Sequence, residues 1–142
     1  MGLSIYFSKV NKRDYSLNKE TAINDEIEIG YFRDVNCLLP FFGYDNNQEY
    51  LEIRRFKIHL LLATVKNLLA IYNKIGTSEI FKTFKFANTF KFIKIAKEEL
   101  PTLDGFYCED YVYDLQEIEK VFEKILEETD FENEQVLMYC WW

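Results

Sequence analysis

The sequence predicts an α+β domain in which a small, mostly antiparallel sheet packs against two to four helices. The N-terminal segment alternates in the manner of a strand with one buried face, the apolar C-terminal segment has the composition of a closing strand, and two longer internal segments show helical periodicity. Apolar residues make up 49% of the 142 residues and only two residues are prolines, which is typical of a folded chain. At this length we expect one domain, residues 1–142.

Four segments have the composition of strands, namely residues 2–10, 27–31, 49–53 and 135–142. In the first segment, Leu3, Ile5 and Phe7 recur at every second position, so we expect them to share the buried face. In the second segment, Ile27 and Tyr31 are predicted to share the buried face with the isoleucine between them. The last segment is too apolar to be a frayed tail.

Two segments have the periodicity of long helices. The first begins at Arg54 and ends near Gly76, and its apolar positions are Phe56, Leu60, Ala63, Leu68 and Tyr72. The second covers residues 111–129, with an apolar stripe formed by Leu115, Ile118, Phe122 and Ile125. We also predict a loop at residues 11–24 and a short helix from Phe32 that Pro40 breaks or kinks.

A repeated Thr-Phe-Lys-Phe unit, residues 83–86 and 89–92, can be interpreted in two ways. On a strand or hairpin, its phenylalanines share one face, whereas a helix would turn the second copy by about 240°. The sequence leaves open whether residues 83–94 form a hairpin or part of a helix. We expect a core element with a basic outer face, and the lysines form a candidate second interface: Lys82, Lys85, Lys91 and Lys94.

Charge is distributed unevenly along the chain. Residues 1–97 carry 15 Lys and Arg and 10 Asp and Glu, a net charge of +5, whereas residues 98–142 carry 2 and 14, a net charge of −12. The second part repels nucleic acid and attracts basic surfaces, so direct nucleic-acid binding is not expected there.

The acidic residues of the second part are the candidate partner-binding site. They are Glu109, Asp110, Asp114, Glu117, Glu119, Glu123, Glu127 and Glu128. Clustered carboxylates can occupy a basic groove on a partner, where complementary charge speeds the encounter. The alternative interpretation is a solvated helix face that keeps the protein soluble.

Few residues suggest catalysis, a metal or a cofactor, and we expect none of these. His59 could act as a base for Cys37 or Cys108, but this pairing has no supporting motif. The three cysteines are scattered and have no metal-ligand spacing, which favours reduced thiols. No secretory signal or membrane-length apolar run is present, so we expect the protein to reside in the cytoplasm.

Several stretches resemble a family of small proteins from tailed phages and prophages. These stretches are MGLSIYFSK (residues 1–9), EIGYFRDVN (28–36), ELPTLDGFY (99–107) and EETDFENEQVLMYCWW (127–142). The family often carries a histidine and a tryptophan where this chain has Leu39 and Phe41, and a polar Gln-Ser-Ser where this chain has Cys140 and Trp141. Residues 77–98 look like an insertion relative to the family.

The resemblance implies an α+β domain of viral or mobile-element origin. It suggests an inhibitor of a host defence nuclease complex, of the anti-CRISPR type, that competes for a basic nucleic-acid groove of a host protein or ribonucleoprotein. Two alternatives remain. One is a structural or housekeeping phage protein that self-associates as a homo-oligomer through an edge of Tyr139, Trp141 and Trp142, and the other is an RNA-binding module that uses residues 82–94.

Overall fold

A four-stranded antiparallel sheet forms the centre of the protein. The computed structural model describes the backbone of residues 2–77 and 82–142 and the side chains of residues 2–74 and 90–142. The strands are β1 (Ser4–Asn11), β2 (Ile27–Arg33), β3 (Tyr50–Ile53) and β4 (Glu134–Trp141). Their order across the sheet is β2-β1-β4-β3, with every pair antiparallel. The predicted α+β class is confirmed.

Six helices accompany the sheet in the described part of the chain, more than the two to four predicted. Three are long and three are short: α1 (Lys12–Leu17), α2 (Lys19–Asn24), α3 (Leu38–Phe42), α4 (Arg55–Thr77), α5 (Lys82–Glu99) and α6 (Glu109–Glu128). The loop predicted at residues 11–24 is wrong, because two asparagine caps start helices there. Asn11 accepts a hydrogen bond from Asp14 N (3.0 Å), and Asn18 accepts one from Thr21 N (3.2 Å).

The second strand differs from its prediction in face and in length. Phe32 is its fully buried residue, whereas Tyr31 is 40% exposed and Ile27 is 58% exposed. A bulge at Ile29 shifts the register, so that Phe7 lies opposite Gly30 while the next residue of β1 lies opposite residue 28. The strand continues to residue 33, and the short helix therefore begins at residue 38 instead of at residue 32.

The two long helices predicted from periodicity are present. In α6 the whole predicted stripe is buried. In α4 the predicted stripe is only partly right. Leu68 is buried and Tyr72 packs against the core, but Phe56 and Leu60 are 59% and 50% exposed, and Ile58, Leu61 and Val65 are buried instead. The helix contains so many leucines that more than one face satisfies the helical period.

The repeated Thr-Phe-Lys-Phe unit lies on α5, so the strand and hairpin interpretations are wrong. In the second copy, Phe92 is buried between Tyr72 and Tyr111, with ring centroids 5.8 and 6.1 Å away, whereas Phe90 is 69% exposed. The side chains of the first copy lie outside the described residues. The helical period thus divides the second copy between core and surface, as expected when a helix carries residues at even spacing.

The core lies between the sheet and α6. Phe122 of α6 is its centre, with ring centroids 4.9 Å from Phe7, 5.7 Å from Phe32 and 6.0 Å from Phe42. The last strand, β4, is central because β1 and β3 pair with its two sides. The edge strands of the sheet are β2 and β3.

Candidate functional site: an acidic pocket beside helix α6

A pocket lies where the end of β2 meets the segment that precedes α6. Its volume is about 410 Å³, and four aspartates line it: Asp34, Asp104, Asp110 and Asp114. We call it the acidic pocket. It joins two of the eight predicted partner-binding residues to two aspartates that the sequence analysis did not single out.

Hydrogen bonds across the pocket hold the two chain segments together. Asn36 donates through Nδ2 to Asp104 Oδ2 (3.2 Å) and accepts through Oδ1 from Leu103 N (3.1 Å). Asp104 also accepts from Phe106 N (3.0 Å). The Phe106 N–H bond lowers the pKa of Asp104 most, and the hydrogen bonds from Thr102 and Asn36 lower it further. Asp104 is therefore a fixed, ionised wall of the pocket.

Asp34 is fixed by the backbone at the end of the sheet. Its φ of 58° is in the left-handed region, which aspartate tolerates better than most residues. Its carboxylate accepts a hydrogen bond from Leu3 N (2.7 Å), and its own N–H donates to the Leu3 carbonyl (2.8 Å). Arg33 Nε lies 3.6 Å from its other carboxylate oxygen, and both side chains are more than 60% exposed. Arg33 also lines the pocket, so its one positive charge stands against the four aspartates, which leaves a formal net charge of −3 when all four are ionised.

Asp114 experiences the combined charge of the pocket. Partial burial raises its pKa to about 6, and the nearby negative charges raise it too, in the order Glu117, Asp110, Asp104 and Asp34. Near neutral pH this carboxylate is charged in surroundings that disfavour the charge. A cation in the pocket would relieve this cost, which makes the pocket a cation-binding candidate.

The rim of the pocket is apolar and exposed. Leu103, Phe106 and Tyr113 are 62%, 70% and 63% exposed, and the latter two also line the pocket. Beneath them, buried Tyr111 donates a hydrogen bond to the Leu100 carbonyl (2.9 Å), which anchors the floor. Exposed aromatic residues are enriched in protein-binding surfaces.

The predicted acidic face of α6 is divided by the helical period. Glu123 forms an ion pair with Lys66 of α4 (2.9 Å), and Glu119 also interacts with this lysine. Lys120 and Lys124 lie on the outer side of the helix, so they interrupt the acidic surface. Glu119 and Glu123 therefore face α4, away from the acidic pocket.

The other flank of α6 continues the pocket. At 3.6 residues per turn, Asp110, Asp114 and Glu117 lie along one side of the first turns, and Glu128 lies on the same side about 16 Å further along the helix, beyond Lys124. Glu109 and Glu127 are exposed on the outer side, beside the two lysines. The candidate site thus consists of the acidic pocket and this flank.

The second predicted interface is described only in part. Lys91 and Lys94 are exposed on α5. The side chains of Lys82 and Lys85 lie outside the described residues. The exposed lysines are on a helix, so their alternation with phenylalanine does not form the flat row that a stacking surface on a strand would offer.

The three residues considered for catalysis, Cys37, His59 and Cys108, differ in burial. Cys37 is buried, and burial raises its pKa, so it carries no reactive thiolate near neutral pH. His59 and Cys108 are exposed, on α4 and at the start of α6. Within the described residues, no group of three or more His, Cys, Asp or Glu side chains is arranged to hold a metal ion. None of the described helices has the length and apolarity to cross a bilayer.

Comparisons with protein-family models, curated proteins and solved structures found no match for this chain. The predicted phage kinship therefore stays a prediction from the sequence. Two of the stretches that carry it, residues 28–36 and 99–107, supply Asp34, Asn36 and Asp104 to the acidic pocket. The sequence did not predict that these residues come together. The sequence cue for a turn at this place was the Asp-Gly pair at residues 104–105.

Proposed function

We propose that this protein is a non-catalytic binding protein that holds a basic surface of a partner protein against the acidic pocket and the adjoining flank of α6. One observation carries the proposal: four aspartates converge on a pocket whose rim consists of exposed apolar residues. The carboxylates supply charge complementarity, and the rim supplies apolar surface that is removed from water on binding.

Electrostatics supports a cationic occupant. Ionised Asp114 is destabilised by its carboxylate neighbours, and an arginine or lysine side chain would offset this repulsion. An arginine offers a planar fork of donors that two carboxylates can share. Phe106 and Tyr113, on the rim, present faces that attract a cation.

The partner class follows from the charge pattern together with the predicted phage resemblance. Basic grooves of nucleic-acid-handling proteins are complementary to a row of carboxylates, which can occupy the places of phosphates. We therefore propose inhibition of a host defence nuclease complex, with this chain competing for the groove. Self-association and RNA binding by the lysines of α5 are the competing functions.

Capture from a bacterium with active nuclease defence systems tests the proposal. The tagged chain is immobilised at low salt, and bound proteins and nucleic acids are identified. A triple variant of acids on this flank of α6, Asp110→Lys, Glu117→Lys and Glu128→Lys, is compared with a charge-matched variant elsewhere, Glu20→Lys, Asp45→Lys and Glu49→Lys. All six residues are exposed.

The proposal predicts a nucleic-acid-handling protein that the α6 variant loses, the control variant keeps and added salt releases. Equal loss of partner binding by both variants would show that the change in net charge, and not the α6 site, causes the loss. Recovery of RNA alone would favour the lysines of α5, and recovery of only the chain itself would favour self-association. Each of these three results contradicts the proposal.

A further inference from the structure

Four tyrosines form a row across the outer face of the sheet, opposite the face that α6 covers. In the strand register, Tyr31 lies beside Tyr6, Tyr6 beside Tyr139, and Tyr139 beside Tyr50. The corresponding ring centroids are 5.1, 6.2 and 4.9 Å apart. Each strand contributes one ring, so the row has the rigidity of the sheet itself.

A pocket of about 390 Å³ opens on this row. Its aromatic walls are Tyr6, Tyr50, Tyr139 and Trp141, and its acidic residues are Glu26 and Glu28. We call it the aromatic pocket. None of the described residues that line it is basic.

The pocket is open because the short helices α1 and α2 cover only part of the outer sheet face. They cover the other half of this sheet face, where Tyr15 and Ala22 pack with Val10 and Leu137 in a separate small core. The chain leaves α2 at residue 24 and enters β2 at residue 27. This connection places Glu26 at the boundary between the covered half and the open half.

Hydrogen bonds hold the Glu26 carboxylate in place. Buried Ser8 donates through Oγ to Oε2 (2.9 Å), and Tyr50 OH donates to Oε1 (3.2 Å). Partial burial and, second, the charge of Glu26 together raise the pKa of Tyr50 to about 12, so this tyrosine stays a donor. The pocket therefore contains a positioned carboxylate beside the faces of aromatic rings.

We propose that the aromatic pocket binds one cationic side chain, Lys or Arg, of a protein partner. The faces of Tyr and Trp rings carry negative potential, and a cation near them is stabilised further by a nearby carboxylate. Glu26 and Glu28 supply that charge, and no cation of the pocket itself competes for them among its described lining residues.

The same features disfavour the other occupants. Bases could stack on the tyrosines, but the phosphates beside them would meet Glu26 and Glu28 with no basic lining residue to offset the repulsion. A second copy of the chain brings a net charge of −7 to an acidic pocket. The proposal does not rest on the function proposed for α6, since the two pockets share no lining residue.

An NMR titration of the full chain tests this proposal. The probe is acetyl-Gly-Arg-Gly-amide, and its matched control contains citrulline, which keeps the shape of arginine without the charge. A lysine version of the peptide is titrated in parallel. The arginine and lysine peptides are expected to shift the ring signals of Tyr6, Tyr50 and Tyr139 and the indole signal of Trp141. The citrulline peptide is expected to bind at least about tenfold more weakly.

Two variants locate the binding without disturbing the core. Trp141→Leu changes a residue that is 58% exposed, and Glu28→Gln changes an exposed carboxylate. Each is expected to weaken the arginine peptide about threefold to tenfold while amide signals away from the pocket stay in place. Asp110→Asn, in the acidic pocket, is expected to leave this binding unchanged, so failure of one proposal is separable from failure of the other.

Three results would overturn the proposal. Equal affinity for the arginine and citrulline peptides would remove the role of charge. Shifts of the same signals by a short oligothymidylate, without shifts by the peptides, would assign the tyrosine row to single-stranded nucleic acid. Shifts that depend on protein concentration alone would show that a second copy occupies the pocket.

Discussion

The substitution Asp114→Asn gives the sharpest test of the acidic pocket, because it removes a charge that the folded state disfavours. Asparagine keeps the shape of the protonated acid. The pKa of Asp114 lies near 6 in the folded chain, against an ordinary value of 3.8. At roughly 1.4 kcal/mol per pH unit, the full difference corresponds to about 3 kcal/mol. Since Asp114 is only half-buried, screening by water reduces the expected effect to about 1 kcal/mol.

The sign of the effect depends on pH. A folded-state pKa above the unfolded value means that the native state binds the proton more tightly. The favourable contribution of protonated Asp114 is therefore complete below pH 3.8 and is lost as the pH rises through about 6. The asparagine variant is uncharged throughout, so it should be more stable than the wild type by about 1 kcal/mol at pH 7.5 and by a few tenths at pH 4.

Urea unfolding at low ionic strength measures this difference, because urea does not screen charge. The matched control is Glu132→Gln, an exposed carboxylate beyond the other end of α6, and it should stay within about 0.5 kcal/mol of the wild type. Equal stability of Asp114→Asn and wild type at pH 7.5, or a gain of the same size at pH 4, would show that the folded chain does not disfavour the charge of Asp114. In a binding assay the more stable variant should bind the partner more weakly, as expected when a functional site stores unfavourable charge.

Three further predictions concern the fold that carries the pocket. Gly30→Ala should destabilise by about 1–3 kcal/mol in urea, since a Cβ there would lie 2.9 Å from Val121 Cγ1 of α6, and stability equal to the wild type would contradict this packing. Tyr44→Phe should lower the free energy of unfolding by about 1–3 kcal/mol, because Tyr44 OH accepts a hydrogen bond from the Cys140 N–H (3.0 Å) just beyond the end of the β3–β4 pairing. Fast hydrogen exchange at the Cys140 amide should accompany this loss. Phe122→Ala should cost about 3–5 kcal/mol by calorimetry, and a loss under 1 kcal/mol would place Phe122 outside the core.

Strong local periodicity made parts of the fold predictable. The stripe of α6 and the alternation of β1 each repeat several times, and one face of each element is buried, so pattern and packing agree. The segment of α5 failed because its even spacing matches a strand. Its helix places Phe92 against Tyr72 and Tyr111, which are contacts between elements that a local pattern does not contain.

Only the part of the candidate site that lies on α6 could be predicted from the sequence. Asp110 and Asp114 stand out in the acidic segment, but Asp34 and Asp104 join them through the hydrogen bonds of Asn36, which link residues 67 and 68 positions apart. The tyrosine row depends in the same way on the register of three strand pairs. Such sites require the topology, because each strand or loop contributes a single residue.

The central claim is that the acidic pocket and its flank of α6 bind a basic surface of a partner. The most direct test is amide hydrogen exchange of the chain, free and bound to the protein recovered by capture at low salt. Binding at this site should add protection at residues 102–117, around the pocket and the first turns of α6. Protection confined to other segments, such as residues 82–94 or 134–141, with residues 102–117 unchanged, would contradict it.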